Sequence, residues 1–89
     1  MTDVPSALRM RLADLAPTAI EVRDDSAAHA GHAGAAGGAG HYSLVIVSKA
    51  FSGVSRLRRH QQVLDRVGDM VPFPIHALQI RALSPDEID

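Results

Sequence analysis

Imidazole is the most reactive side chain in this sequence, and its placement is uneven. The chain has 89 residues, five of them histidine and none of them cysteine. His29, His32 and His41 bracket a stretch, Ala27 to Gly40, made only of alanine, glycine and histidine. His60 lies in a helix-like run, and His76 opens the strand-like run Ile75-His76-Ala77-Leu78. Imidazole is the commonest protein metal ligand and changes charge near neutral pH. A fold that carries a loop histidine to His76 would offer a partner two metal ligands without a thiol. A private zinc site would need three or four ligands in fixed geometry. A Gly-Ala run fixes none, so the isolated protein is expected to hold no metal of its own.

Other chemistry is thin. Ser26 stands near Asp24, Asp25 and His29, but closeness in sequence is not the geometry of a catalytic triad. The glycine-rich stretch lacks the Lys-Ser/Thr of a phosphate loop. No catalytic activity is expected.

The elements that must position these residues follow from periodicity. Leu8, Leu12 and Leu15 form one apolar stripe of a helix. Thr2 or Asp3 can cap it, Pro5 suits its first turn and Pro17 stops it. Ile20 and Val22 alternate with Glu21 and Arg23, a half-buried strand. Residues 27–40 then read as a flexible low-complexity loop. Tyr42 to Val47 is almost continuously apolar, a well-buried strand, and antiparallel pairing with the first strand is expected. Ser52 or Ser55 starts a second helical region. Its apolar face is predicted at Leu57, His60, Leu64, Val67 and Val71, joined by Val63 and Met70. Pro72 and Pro74 end it. Ile75 to Leu83 is a third strand, with His76, Leu78 and Ile80 on one face.

This order, αββααβ, predicts a single α+β domain over residues 1–89, a three-stranded sheet with helices on one face. Within it His60 reads as a structural histidine that packs against the sheet. For His76 the pattern fits a core histidine and an exposed ligand equally well.

Net charge is −1, but Lys49 to Arg66 holds five basic residues and one acid, against four basic residues and nine acids elsewhere. Such a run is an ordinary solvated face or a surface for an anionic partner. In the second case Lys49, Arg56, Arg58 and Arg59 are the candidate nucleic-acid contacts. No run approaches the roughly 18 apolar residues of a membrane helix. The N-terminus lacks the pattern of a secretory signal. Absence of cysteine suits a cytoplasmic protein.

Taken in order, several segments resemble the BolA family. They are Asp24-Asp25-Ser26-Ala27-Ala28-His29-Ala30-Gly31-His32, then His41-Tyr42, Val47-Ser48 and Phe51-Ser52-Gly53. Arg59-His60-Gln61-Gln62-Val63 and Ile75-His76-Ala77-Leu78 complete the set. The resemblance runs from about Leu8 to Glu87. It implies a fold similar to a class II KH domain and a non-enzymatic adaptor that binds a monothiol glutaredoxin. The glutaredoxin cysteine and a glutathione would hold one side of a 2Fe–2S cluster. This chain would hold the other through His29 and His76, with His32 as the alternative loop ligand. The role implied is iron–sulfur trafficking or iron regulation. A second activity implied by the resemblance is DNA-binding transcriptional regulation through Phe51–Arg66. Gln61-Gln62 departs from the further basic residue that many relatives carry there, which weakens that reading.

Overall fold

A computed structural model describes residues 3–25 and 40–88. His29 and His32, and the proposed flexible loop up to Ala39, lie outside the described residues.

Helix α1 spans Val4–Arg11. The Asp3 carboxylate caps it by accepting from Ser6 N at 2.8 Å. Pro5 sits in the first turn, where its missing N–H costs no intrahelical bond. A 3-10 turn at Ala13–Leu15 follows and ends at Ala16 in the left-handed conformation. The strands are β1 (Ala19–Asp24), β2 (Gly40–Val47) and β3 (Ile75–Leu83). Gly40, read from sequence as loop, is the first residue of β2. Between β2 and β3 lies one α-helix, α2 (Arg56–Val67), flanked by 3-10 turns at Lys49–Phe51 and Gly68–Met70. Ser55, not Ser52, is its cap; its hydroxyl accepts from Arg58 N.

The sheet order is β1-β2-β3. β1 and β2 are antiparallel, with Ile20 opposite Ile46 and Val22 opposite Leu44. β2 and β3 are parallel, with Leu44 opposite Ile80 and Ile46 opposite Ala82. Parallel neighbours need a crossover, which residues 48–74 with α2 supply. The α+β class and the three-stranded sheet are as expected. The core lies on one face of the sheet. There Leu44, Ile46 and Ile75 meet Leu8, Leu12 and Leu15 from the N-terminal segment, and Phe51, Val63, Val67 and Met70 from the crossover. The period-2 alternation leaves Glu21, Arg23, Ser43, Gln79 and Arg81 on the opposite face.

Val63, Val67 and Met70 of the expected face are buried, but its remaining members are not. The buried positions of α2 are Arg59, Val63 and Val67, continued by Met70. Leu57 and Leu64 are exposed, Val71 beyond them too, and His60 is exposed rather than packed on the sheet. The buried arginine explains the difference. Arg59 is 7% exposed, a position a guanidinium tolerates only when its donors are satisfied. Its Nε donates to Val54 O at 2.8 Å, and its Nη1 to Ala82 O at 3.1 Å and to Glu87 Oε1. The stem of Arg59 thus fills an interior position while its head ties α2 to β3 and to the C-terminal turn.

Glu87 is held by the same network. Ser84 N and Ser84 Oγ both donate to its Oε1, at 2.7 and 3.0 Å. The Arg59 guanidinium, with these bonds from Ser84, pulls the Glu87 carboxyl down from 4.5 to about 2. A carboxyl whose folded value is depressed stabilises the native state above its unfolded value, and that contribution disappears as pH falls. Stability is therefore expected to drop between about pH 4.5 and pH 2 more steeply in the native protein than in Glu87→Gln. Urea midpoints at pH 5.5, 3.5 and 2.5 check this; parallel losses in both proteins would contradict it.

Candidate functional site

The pairing of β2 with β3 has one irregularity, and it falls at His76. From His41–Ala77 to Val47–Leu83 the residues run in step, but Gly40 pairs with Ile75. His76 is therefore the extra residue of a bulge. A bulge re-aims side chains by breaking the alternation of a strand. Ile75 takes the core position at 0% exposure, and His76 is exposed. Strict alternation would have set His76 on the core face of Leu78 and Ile80, so the structure corrects that assignment and leaves the ring accessible.

His41 stands beside it. The two ring centroids are 5.1 Å apart and the planes tilted by 50°. The two rings are therefore in contact. Sequence reasoning put His41 at the end of the loop and gave it no ligand role. The signal that could have found it is the strand starting at Tyr42, whose first residues must pair with the start of β3. Among the described residues, no group of three or more His, Asp or Glu is arranged to hold a metal ion. A metal held at His76 would thus have to draw its other ligands from elsewhere.

The described residues on either side of 26–39 lie at this edge. Asp25 N donates to His41 O at 2.7 Å, and Gly40 N donates to Pro74 O at 3.0 Å. The Asp25 carboxylate accepts from Arg23 Nε at 2.7 Å and from Ser43 Oγ. Asp25 and Gly40 are therefore held next to His41 and His76. Val71 and Phe73, shortly before His76, are exposed, Phe73 by 64%.

Of the four candidate phosphate contacts, Lys49, Arg56 and Arg58 are exposed. Arg59 is buried instead, with its Nε and Nη1 bonded to Val54, Ala82 and Glu87.

Comparison with known proteins matches this arrangement of strands and helices. The BolA-like protein family model covers residues 12–87. The chain belongs to the BolA family. BolA-like protein 1 of Mus musculus is 37% identical over 83 residues, which is 92% of this chain and 58% of that protein. SufE-like protein 1, chloroplastic/mitochondrial, of Arabidopsis thaliana is 42% identical over 80 residues, 84% of this chain and 22% of that protein. The chain thus spans just over half the length of the mouse relative and about a fifth of the plant one. In structure, the BolA domain of SufE1 from Arabidopsis thaliana superposes with a TM-score of 0.81 at 37% identity, covering 99% of both chains. The BolA match includes β1, β2, α2 and β3, and so includes every residue of the His41–His76 edge. No helix among the described residues of this BolA-family chain is long and apolar enough to cross a membrane.

Proposed function

We propose that this protein is a non-enzymatic adaptor that binds a monothiol glutaredoxin and shares a 2Fe–2S cluster with it. His76 would be one ligand and His29 the other, for iron–sulfur trafficking or iron regulation. The observation that carries this reading is the bulge at His76, which exposes an imidazole on a rigid strand beside Asp25 and Gly40, the described residues flanking the histidine-bearing segment. His29 is four residues from Asp25, and four residues reach at most about 14 Å. That reach is sufficient because Asp25 is bonded to His41, whose ring lies against His76. His32, seven residues from Asp25, is the alternative.

The chemistry of the donor set fits the group. In Rieske-type centres two imidazoles hold one iron of a 2Fe–2S cluster, which raises its potential above that of all-thiolate clusters. Here the protein would supply both imidazoles, and the glutaredoxin cysteine and glutathione would supply the sulfur side. His41 packs against His76 and holds its ring in place. The exposed Phe73 and Val71 give the partner apolar area next to the ligands.

The experiment is anaerobic reconstitution of the cluster on a mixture of this protein and a monothiol glutaredoxin, followed by visible absorption and circular dichroism. His29→Ala is expected to change the spectrum and speed cluster loss, whereas His32→Ala leaves both unchanged. If His29→Ala matches the native complex and His32→Ala does not, His32 is the loop ligand. If neither matters and His41→Ala removes the signal, both ligands come from the strands and the His29 assignment is wrong.

A further inference from the structure

α2 carries a second apolar stripe that the core does not use. Its inner side is Arg59, Val63 and Val67, whereas Leu57 and Leu64 stay 68% and 38% exposed. These leucines are seven residues apart, about two helical turns, and so lie one above the other on a single face. The residue after each is charged and exposed, Arg58 after Leu57 and Asp65 after Leu64. Neither Arg58 nor Asp65 is engaged by the salt bridges among the described residues, which pair Arg11 with Asp69, Arg23 with Asp25, Arg59 with Glu87 and Arg66 with Asp14. Both charges therefore flank the stripe on the same side, the positive one towards the start of α2 and the negative one towards its end.

We propose that this face of α2 binds a second copy of the chain, the two α2 helices packing antiparallel about a twofold axis between His60 and Gln61. A twofold interface sets one patch against itself, so its residues must complement one another. This patch does. The rotation brings Leu57 level with Leu64 of the second copy. It also brings Arg58 within two residues, about 3 Å along the helix axis, of Asp65 of the second copy on the same flank of the seam. Each contact occurs twice, which gives four leucines beside two ion pairs. A parallel pair would instead turn Arg58 towards the opposite flank, where His60 and Arg56 share a face four residues apart and no acid stands. A nucleic acid would be repelled by Asp65 and would gain nothing from the leucines. A helix of 12 residues is only about 18 Å long, so the contact is small and the association weak. The face includes neither His41 nor His76 and does not rest on the cluster reading.

Sedimentation velocity of the full chain from about 10 µM to about 1 mM tests the proposal. A reversible monomer–dimer equilibrium is expected within that range. Leu57→Ser combined with Leu64→Ser should leave the chain monomeric throughout. Arg58→Asp sets acid against acid at both ends of the seam, and Asp65→Arg sets base against base. Each should weaken the dimer about tenfold. Arg58→Asp combined with Asp65→Arg restores opposite charges at both places and should return the dimer to native affinity. Circular dichroism of each variant checks that the fold is kept. A native chain that stays monomeric at the highest concentration would overturn the proposal. So would a dimer that survives the double serine variant, or charge reversals whose losses add in the double variant instead of cancelling. A short DNA duplex bound by a chain that stays monomeric, and released in Arg58→Asp, would assign the face to nucleic acid instead.

Discussion

His76→Ala is expected to remove the visible absorption of the complex with a monothiol glutaredoxin while leaving the free protein folded. The two halves of this expectation have separate causes. His76 is exposed, and Ile75 beside it, not His76, occupies the core. Exposed substitutions away from caps and buried networks usually change stability by no more than about 0.5 kcal/mol. The urea midpoint should therefore stay close to that of the native chain. The cluster, by contrast, would lose a first ligand for which the remaining histidines hold no substitute on β3. Removal of one ligand in a four-ligand set leaves an iron open to water. The measurement is the spectrum of the reconstituted mixture, with co-purification reporting whether the partner still docks. A native spectrum in His76→Ala ends the histidine-ligation reading. A lost spectrum with an equally lowered urea midpoint would show only that the strand had been damaged.

Arg59→Ala should have the largest effect on stability. Its removal leaves the part-buried carbonyls of Val54 and Ala82 without their side-chain donors and empties a buried position on α2. An orphaned acceptor costs about 1–3 kcal/mol when fully buried, so a loss on the order of 1–3 kcal/mol is expected from these two part-buried ones together. The bond to Glu87 adds little to that figure, because the Glu87 side chain is 39% exposed and the pair is screened. Arg59→Lys should recover only part of the loss, since one ammonium cannot reproduce the planar fork across three acceptors. Arg58→Ala is the control and should lie within about 0.5 kcal/mol of the native protein. Equal midpoints for Arg58→Ala and Arg59→Ala would refute the structural role. Any loss of DNA binding in Arg59→Ala would then also need a different explanation from unfolding.

These two residues mark what a linear reading can and cannot resolve. The alternation of Ile20 and Val22, the apolar run to Val47 and the prolines at 72 and 74 located the strands and the end of the crossover, because each acts locally. The face of α2 was harder. Leu57, His60 and Leu64 repeat with the same period as Arg59, Val63 and Val67, and periodicity alone cannot rank two stripes about 100° apart. Composition favours the stripe with leucines. The structure chooses the other, since Arg59 finds acceptors on two different elements and a C-terminal carboxylate, all distant in sequence. His76 was ambiguous for a related reason. Alternation assumes an unbroken ladder, and the break lies in how Gly40 meets Ile75. No property of β3 read alone reveals it. The pairing of His41 with His76 depends on that same register, so it too is a fact of tertiary structure. His29 and His32 enter through resemblance, and their geometry stays outside what is described.

The bulge separates two demands that usually compete at one strand position. Interior packing is met by Ile75, and the proposed donor chemistry would be left to its neighbour. On the proposed ligation, the ligand atom could therefore be changed without disturbing the folded scaffold: His76→Cys would trade nitrogen for sulfur and lower the redox potential of a shared cluster while the hydrophobic interior stays as it is. In this architecture electronic tuning and conformational integrity are adjustable one at a time.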